Sequence, residues 1–353
     1  MAEMVRLKDI AETLGVSVVT VSNALAGRKG VSAPLRARIL ACADQAGLDP
    51  EKYGKEETHS MSAGVLISER YISVGTSFYW EMYQQAALAV SRRNGFTLLQ
   101  ILKREEEGSD PAETVPMLSG GEADGLIVIG KIREPFLQRL MSIIRVPVVL
   151  MDFCKSCYAC DAVLSSNYYG MYRAAHRLIE EGHTKIGFVG TPEISENIRE
   201  RQFGYRRAMM EAGLPVRAEW QLTDREPSEE TPALVLPDEM PTAFACSSDY
   251  AAGILHRKLE EAGLRVPEDV SVIGYDDYLY GDPFAEHLTS FHVDMKQMGE
   301  KAAALLSARV NGESGPPRVC YIDSTITERD SCRTEGRAAG TARNKRHMAA
   351  STQ

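Results

Sequence analysis

The chain has 353 residues, 44% hydrophobic and 25% charged, with a net charge of −9, the balance of a globular protein of two or three domains. No apolar run approaches the ~20 residues that span a bilayer, and the charged start "MAEMVRLKDIAE" lacks the apolar region of a secretory signal. Seven cysteines in such a chain read as reduced thiols rather than a disulfide framework, so a cytoplasmic location is expected. The charge is uneven. Residues 1–48 carry six Lys/Arg against four Asp/Glu, residues 333–353 carry five against one, and residues 61–332 hold a net −13. A body this negative repels a polyanion, so if DNA is the partner, the small head must make the contact.

In the head, Leu7, Ile10, Ala11 and Leu14 recur at helical spacing and predict a first helix. Gly15 permits a tight turn, and Ser17 can accept from the free N–H groups of a second helix over about 18–25. Val21, Ala24 and Leu25 of that helix would face inward. "AGRKG" breaks the chain. Ser32 can then cap a third helix with Pro34 in its first turn and Leu35, Ile39, Cys42 and Ala46 on its apolar face. Three short helices with a tight turn between the first two make a helix-turn-helix. Its second helix would enter the major groove by its N-terminal end, presenting Val18, Val19, Ser22 and Asn23. The valines suit thymine methyls, and Asn23 can pair with adenine through two hydrogen bonds. Ser17, Thr20, Arg28, Lys29, Ser32 and Arg36 are placed for phosphates, which set register without reading sequence. A plain helical hairpin with a solvated polar face shares the amphipathic pattern but not the spacing.

The stretch "VRLKDIAETLGVSVVTVSNALAGRKGVS", residues 5–32, resembles the head of the LacI/GalR family of bacterial transcription regulators. Arg6 stands where that family usually has a Thr or Ser cap, and Asn23 where it often has Arg, so an operator different from the common one is implied. The resemblance also implies a hinge helix next, with a leucine wedge for the minor groove. Here residues 49–61 contain Gly54, which weakens a helix by about 1 kcal/mol relative to Ala. The wedge position falls near Glu57, a carboxylate that would face phosphates. The expectation is a linker that bends its operator weakly or not at all, checkable by circular permutation of the operator fragment.

Beyond residue 62, "AGVLIS", "FTLLQIL", "DGLIVIG", "VPVVLM", "KIGFVG", "TAFACS" and "VSVIGY" read as buried strands. "WEMYQQAALAVSRRNG", "YYGMYRAAHRLIEEGH", "RQFGYRRAMMEAG" and "DYAAGILHRKLEEAGL" read as crossover helices, several ending at glycine. The alternation predicts an α/β body with parallel sheets, and about 270 residues are enough for two lobes. No G-x-G-x-x-G follows a strand and no P-loop is present, so no cofactor is expected and an enzyme reading finds no support. "RLIEEGHTKIGFVG", "RQFGYRRAM", "PTAFACSSDYAAGIL", "RVPEDVSVIGYDD" and "LTSFHVDMKQMGEKAAALL" continue the family resemblance to about residue 328. The implied architecture is an all-α helix-turn-helix head (1–48), a linker (49–61) and an α/β periplasmic-binding-protein-like type I body of two Rossmann-like lobes (62–330), followed by a disordered basic tail (331–353).

The resemblance also places an effector cleft between the lobes. Phe78 and Tyr79 fall where the family has a ligand-facing pair; core packing at a helix start is the alternative. Arg201 matches its effector-binding arginine, whose fork suits a carboxylate or vicinal hydroxyls, and Asp276 the acid that accepts from ligand hydroxyls or amines. Asp249 is read as capping its own helix while Ser248 faces the cleft, and Tyr169 sits where a polar contact is often found. A sugar or sugar derivative is the expected effector, with a purine or nucleoside left open.

"DFCKSCYACD" places Cys154, Cys157 and Cys160 three apart. Unconnected thiols, a redox-responsive pair and a metal site are all compatible with that spacing, but a fourth ligand is missing; no metal is expected. The tail lacks the leucine-rich repeat through which some family members tetramerise, so a homodimer is expected, its two heads reading a pseudo-palindrome in double-stranded DNA. The sequence thus reads as a repressor controlled by a small effector. A solute-binding protein with the same body, and a regulator answering to a protein partner, are the competing readings.

Overall fold

The computed structural model describes residues 7–25, 31–45, 60–72, 78–155, 157–225, 234–278 and 281–333. The chain divides into two compact units whose main boundary falls between Met61 and Ser62. Arg6, Ala46, residues 49–59 of the expected linker and the tail from 334 onward lie outside the described residues.

The head is three helices: α1 (Leu7–Leu14), α2 (Val18–Leu25) and α3 (Ala33–Gln45). Gly15 turns the chain between the first two with φ +64, a conformation glycine adopts without cost. The Ser17 hydroxyl then accepts from the Thr20 amide at 3.1 Å and starts α2. Ile10, Ala11, Val21, Ala24, Leu25, Ile39 and Ala43 form the core, with Leu35 and Cys42 packed at its edge. Ala43, one turn beyond Ile39, takes the inward position in the last turn of α3 that the sequence pattern did not mark.

The body holds two six-stranded sheets. The first runs through β1 (Ser62–Ser68), β2 (Phe96–Leu102), β3 (Gly125–Ile129), β4 (Val148–Met151), β5 (Asp161–Ser165) and a late strand, β11 (Val319–Ile322), in the order β11-β5-β4-β3-β1-β2. All its pairings are parallel. Around it lie α4 (Phe78–Ser91), the single turns α5 (Pro111–Thr114) and α6 (Pro116–Ser119), and α7 (Glu134–Ile143). The second sheet has the order β12-β10-β9-β8-β6-β7. It uses β6 (Ile186–Val189), β7 (Gln221–Leu222), β8 (Ala243–Cys246), β9 (Ser271–Asp276), β10 (Thr289–His292) and β12 (Ile326–Thr327), only β12 pairing antiparallel. Its helices are α8 (Asn167–Glu180), α9 (Glu196–Glu211) and α10 (Asp249–Glu261). The last long helix, α11 (Met295–Val310), returns to pack on α4 and β3–β5.

Every residue of β1, β3, β4, β6, β8 and β9 is buried, as expected of parallel strands covered on both faces. The chain passes between lobes three times, from β5 to α8, from β10 to α11 and from β11 to β12. The two-lobed α/β body expected from the sequence is therefore present. Helices α8 and α9 meet at Gly204, where a Cβ would fall 2.1 Å from the Tyr168 carbonyl oxygen. That close approach holds the preceding turn of α9, which carries Arg201, against the carboxyl ends of the second sheet's strands.

Candidate functional site

In the head, the N-terminal end of α2 is open. Val18 is 43% exposed, Ser17 is exposed, and Thr20 and Asn23 are half-buried. An exposed valine at a helix start makes no core contribution and offers an apolar contact to a partner instead. Ser17 and Thr20 hydroxyls pair at 2.8 Å. Ser32 is exposed and Arg36 half-buried at the start of α3. The side chains of Val19 and Ser22, and all of Arg28 and Lys29, lie outside the described residues.

In the body, Arg201 and Asp276 are 5% and 3% exposed and form an ion pair at 3.2 Å. The guanidinium is held by more than charge. Its Nε donates to Asn167 Oδ1 at 2.8 Å, its Nη1 to the Ser247 carbonyl at 2.6 Å, and its plane lies 3.7 Å from the Tyr275 ring centroid. Asn167 donates in turn to Asn197 Oδ1, and Asn197 to the Asp152 carbonyl at 2.8 Å across the gap between lobes. Arg201 is thereby fixed by α8, α9, β8 and β9 at once.

The first lobe answers with Asp152, just past β4, and Tyr79, in the first turn of α4. The Tyr79 hydroxyl donates to Asp152 Oδ2 at 3.0 Å, and its ring lies 4.2 Å from that of Tyr71. Phe78 is buried and meets Tyr278 of the second lobe edge-on at 5.8 Å. Burial drives the Asp152 carboxyl up to about 6 despite the nearby Arg201, because desolvation disfavours the charged form. Two buried polar atoms here have no hydrogen-bond partner among the described residues: Asp152 Oδ1 and Ser247 Oγ. Asp152 and Asp276 also carry positive φ, +65 and +122, a conformation that costs side-chain-bearing residues energy and concentrates at functional sites. Cavities of about 470 and 500 Å³ border the cluster, the first reaching Tyr278 and the second Asn197, both within the range of small-molecule pockets.

Four of the expected effector residues, Phe78, Tyr79, Arg201 and Asp276, converge on this cleft. Three do not behave as expected. Tyr169 is 57% exposed and packs with Tyr168 near Arg207 on the outside of α8 and α9. Asn167 is the α8 residue that faces Arg201, and two residues on a helix turn a side chain about 200° away. The cap of α10 belongs to Ser248, whose hydroxyl accepts from Ala251 N at 3.1 Å, and not to Asp249. Asp249 is buried, accepts from Ser290 Oγ at 2.6 Å and from Tyr278 N at 2.8 Å, and so ties down the loop after β9. Burial and then Asp276 raise its carboxyl well above the usual range. Ser248→Ala is expected to lower stability by about 1 kcal/mol. Ser247→Ala, which removes an unsatisfied hydroxyl, should leave stability unchanged or raised; urea unfolding of both variants checks the contrast. Sequence reasoning missed Asp152, Asn167, Asn197 and Ser247. Cys154, Cys157 and Cys160 are free thiols.

A three-helix head with an open second helix, joined to a bilobed α/β body with a polar interlobe cleft, defines a DNA-binding regulator that carries its own ligand-binding domain. Comparison with known proteins agrees. Residues 6–51 match the family described as bacterial regulatory proteins, lacI family, and residues 175–332 match the periplasmic binding protein-like domain. The chain is 26% identical over 335 residues to the HTH-type transcriptional repressor PurR of Aliivibrio salmonicida, covering 93% of this chain and 99% of that protein. It is 28% identical over 337 residues to PurR of Pectobacterium carotovorum, covering 93% and 97%. Among solved structures, the complex of the transcriptional regulator CelR with cellobiose superimposes with a TM-score of 0.64 at 25% identity, covering 93% of this chain and 99% of that one. The lac repressor dimer bound to operator and the anti-inducer ONPF gives 0.64 at 19% identity over 94% and 100%, a likeness of fold. The chain thus carries the head of the bacterial regulatory proteins of the lacI family and a periplasmic binding protein-like domain.

Proposed function

We propose that this chain is a repressor whose interlobe cleft binds a small polyhydroxylated effector, a sugar or sugar derivative. The observation that carries this reading is the pair of unsatisfied buried atoms, Asp152 Oδ1 and Ser247 Oγ, on two residues that flank a guanidinium fixed from two sides. Buried polar groups are almost always satisfied, so those left over in a cleft mark where a ligand supplies partners. An effector hydroxyl can donate to Asp152. Nη2 of Arg201, the nitrogen not occupied by Asn167, Ser247 or Asp276, can donate back. Phe78, Tyr79 and Tyr278 supply the apolar wall. The likeness to a regulator solved with cellobiose supports the sugar class. The PurR relatives keep a purine or nucleoside in view, which the same aromatic wall could stack. Calorimetric titration of the body with sugars and nucleosides separates the two.

For DNA, the reading is a homodimer whose paired heads bind a pseudo-palindromic operator. Leu88 on α4 and Phe96 on the edge strand β2, each 50% exposed, give the first lobe an apolar face suited to pairing. Asn23→Ala is expected to weaken operator binding about 10- to 100-fold, the ~1–3 kcal/mol of a lost two-bond base contact. Unfolding of the body should be unchanged. Gel-shift titration against the chain's own promoter region reads the effect, and wild-type protein that binds no part of that region overturns the reading.

A further inference from the structure

We propose that Cys154 and Cys157 are a peroxide-responsive pair that closes into a disulfide and thereby loosens the tie between the two lobes. Both thiols lie in the loop between β4 and β5 and line the same interlobe cavity of about 500 Å³. Cys157 is exposed and Cys154 half-buried. Cys160 is a poorer partner: Cys154 and Cys160 both pack against the first lobe's core, but Cys160 does not line that cavity with Cys157, and burial pushes its thiol up to about 12. Between the two cysteines sits Lys155. Its ammonium lies 3.1 Å from Glu134 of its own lobe and 3.1 Å from Glu196 at the start of α9 in the other. Lys131 adds a second tie, donating to the Ile194 carbonyl at 3.2 Å. The Lys155 carbonyl accepts from the Tyr158 amide at 3.1 Å, which anchors the lysine's backbone.

The chemistry balances with hydrogen peroxide as oxidant. The Cys157 thiolate attacks one peroxide oxygen, the O–O bond breaks, and the departing hydroxide takes up the thiol proton as water, leaving a sulfenic acid. The Cys154 sulfur attacks the Cys157 sulfur, the S–O bond breaks, and a second water leaves with the Cys154 proton. Two thiols and one peroxide give one disulfide and two waters. A disulfide needs its Cα atoms about 4.4–6.8 Å apart in a fixed torsion, so closing it constrains the backbone that carries Lys155. The loss falls on the Lys155–Glu196 contact.

The test uses the full-length protein treated with hydrogen peroxide and then alkylated, with peptide mass mapping and amide hydrogen exchange; neither readout needs an effector, so it stands apart from the cleft assignment. The expected result is a Cys154–Cys157 disulfide together with several-fold faster exchange at residues 194–199. Dithiothreitol should reverse both. Cys157→Ser, an exposed substitution that leaves the core intact, should abolish both, while Cys160→Ser should retain both. Lys155→Met should show the faster exchange without peroxide. Oxidation that leaves Cys154 and Cys157 unlinked overturns the proposal, as does a disulfide that leaves exchange at 194–199 unchanged.

Discussion

Arg201→Met is expected to reduce effector affinity about 100- to 1,000-fold, or roughly 3–4 kcal/mol, and to destabilise the body by about 3–5 kcal/mol. The second figure is that of removing one partner from a buried ion pair. Arg201 is the cation against which Asp276 is buried, and it also counters the Asp152 charge. Removing it leaves two carboxylates in low dielectric without their compensating charge. Arg201→Lys restores a charge but not the fork that reaches Asn167, Ser247 and Asp276 together, so it should recover stability more than affinity. Adding Asp276→Asn to Arg201→Met removes one uncompensated charge and should recover at least about 1 kcal/mol of stability while affinity stays lost. That double-mutant cycle separates the pairing energy from ligand contact. Urea unfolding and calorimetric titration measure the two quantities, and an Arg201→Met body that binds effector with normal affinity would falsify the assignment.

The sequence showed the fold wherever a strand is buried on both faces and therefore reads as an unbroken apolar run. It concealed strands whose polar residues are buried with partners. β5 opens on Asp161, which is buried because Arg309 reaches both of its oxygens from α11. β10 reads as polar because the hydroxyls of Thr289 and Ser290 are buried with partners, the first accepting from Arg329 N and the second donating to Asp249. β11 is an edge strand with only partial cover, so its pattern is weak. The cleft divides the same way. Arg201, Asp276, Phe78 and Tyr79 lie in stretches that resemble the family's blocks. Asp152 lay in full view in "MDFC", but the cysteines beside it drew the reading. Its position at a strand's carboxyl end, shared by Ser247, was the available signal. Ser248 and Asp249 are both good cap formers, and only backbone phase decides between them. Ser248 has the extended φ −159, ψ 162 of a cap, which turns Asp249 inward to Ser290.

Effector affinity is expected to rise about tenfold per pH unit as pH approaches 6 from below, and then level off. The cause is Asp152, whose carboxyl is shifted by burial from 3.8 to about 6. A ligand hydroxyl donating to Oδ1 favours the carboxylate, so below pH 6 binding must release a proton, and affinity falls with acidity. Stability runs the other way. Between 3.8 and about 6 the folded protein holds the Asp152 proton that the unfolded chain has lost. The folded state therefore binds more protons, and this group's contribution declines as pH rises through that window, by about 3 kcal/mol at most. Asp276 lies in the same cleft with Arg201, and the buried Asp249 interacts with Asp276 from behind it, so the Asp152 share is isolated by difference. Asp152→Asn should flatten the pH dependence of affinity and remove this decline in stability, leaving the other titrations in place. Calorimetry at pH 5, 6 and 7.5 on both proteins decides the matter. Affinity that falls as pH rises through 6 would mean that a protonated Asp152 donates to the ligand, and an effector presenting an acceptor there, rather than a hydroxyl, would then fill the cleft.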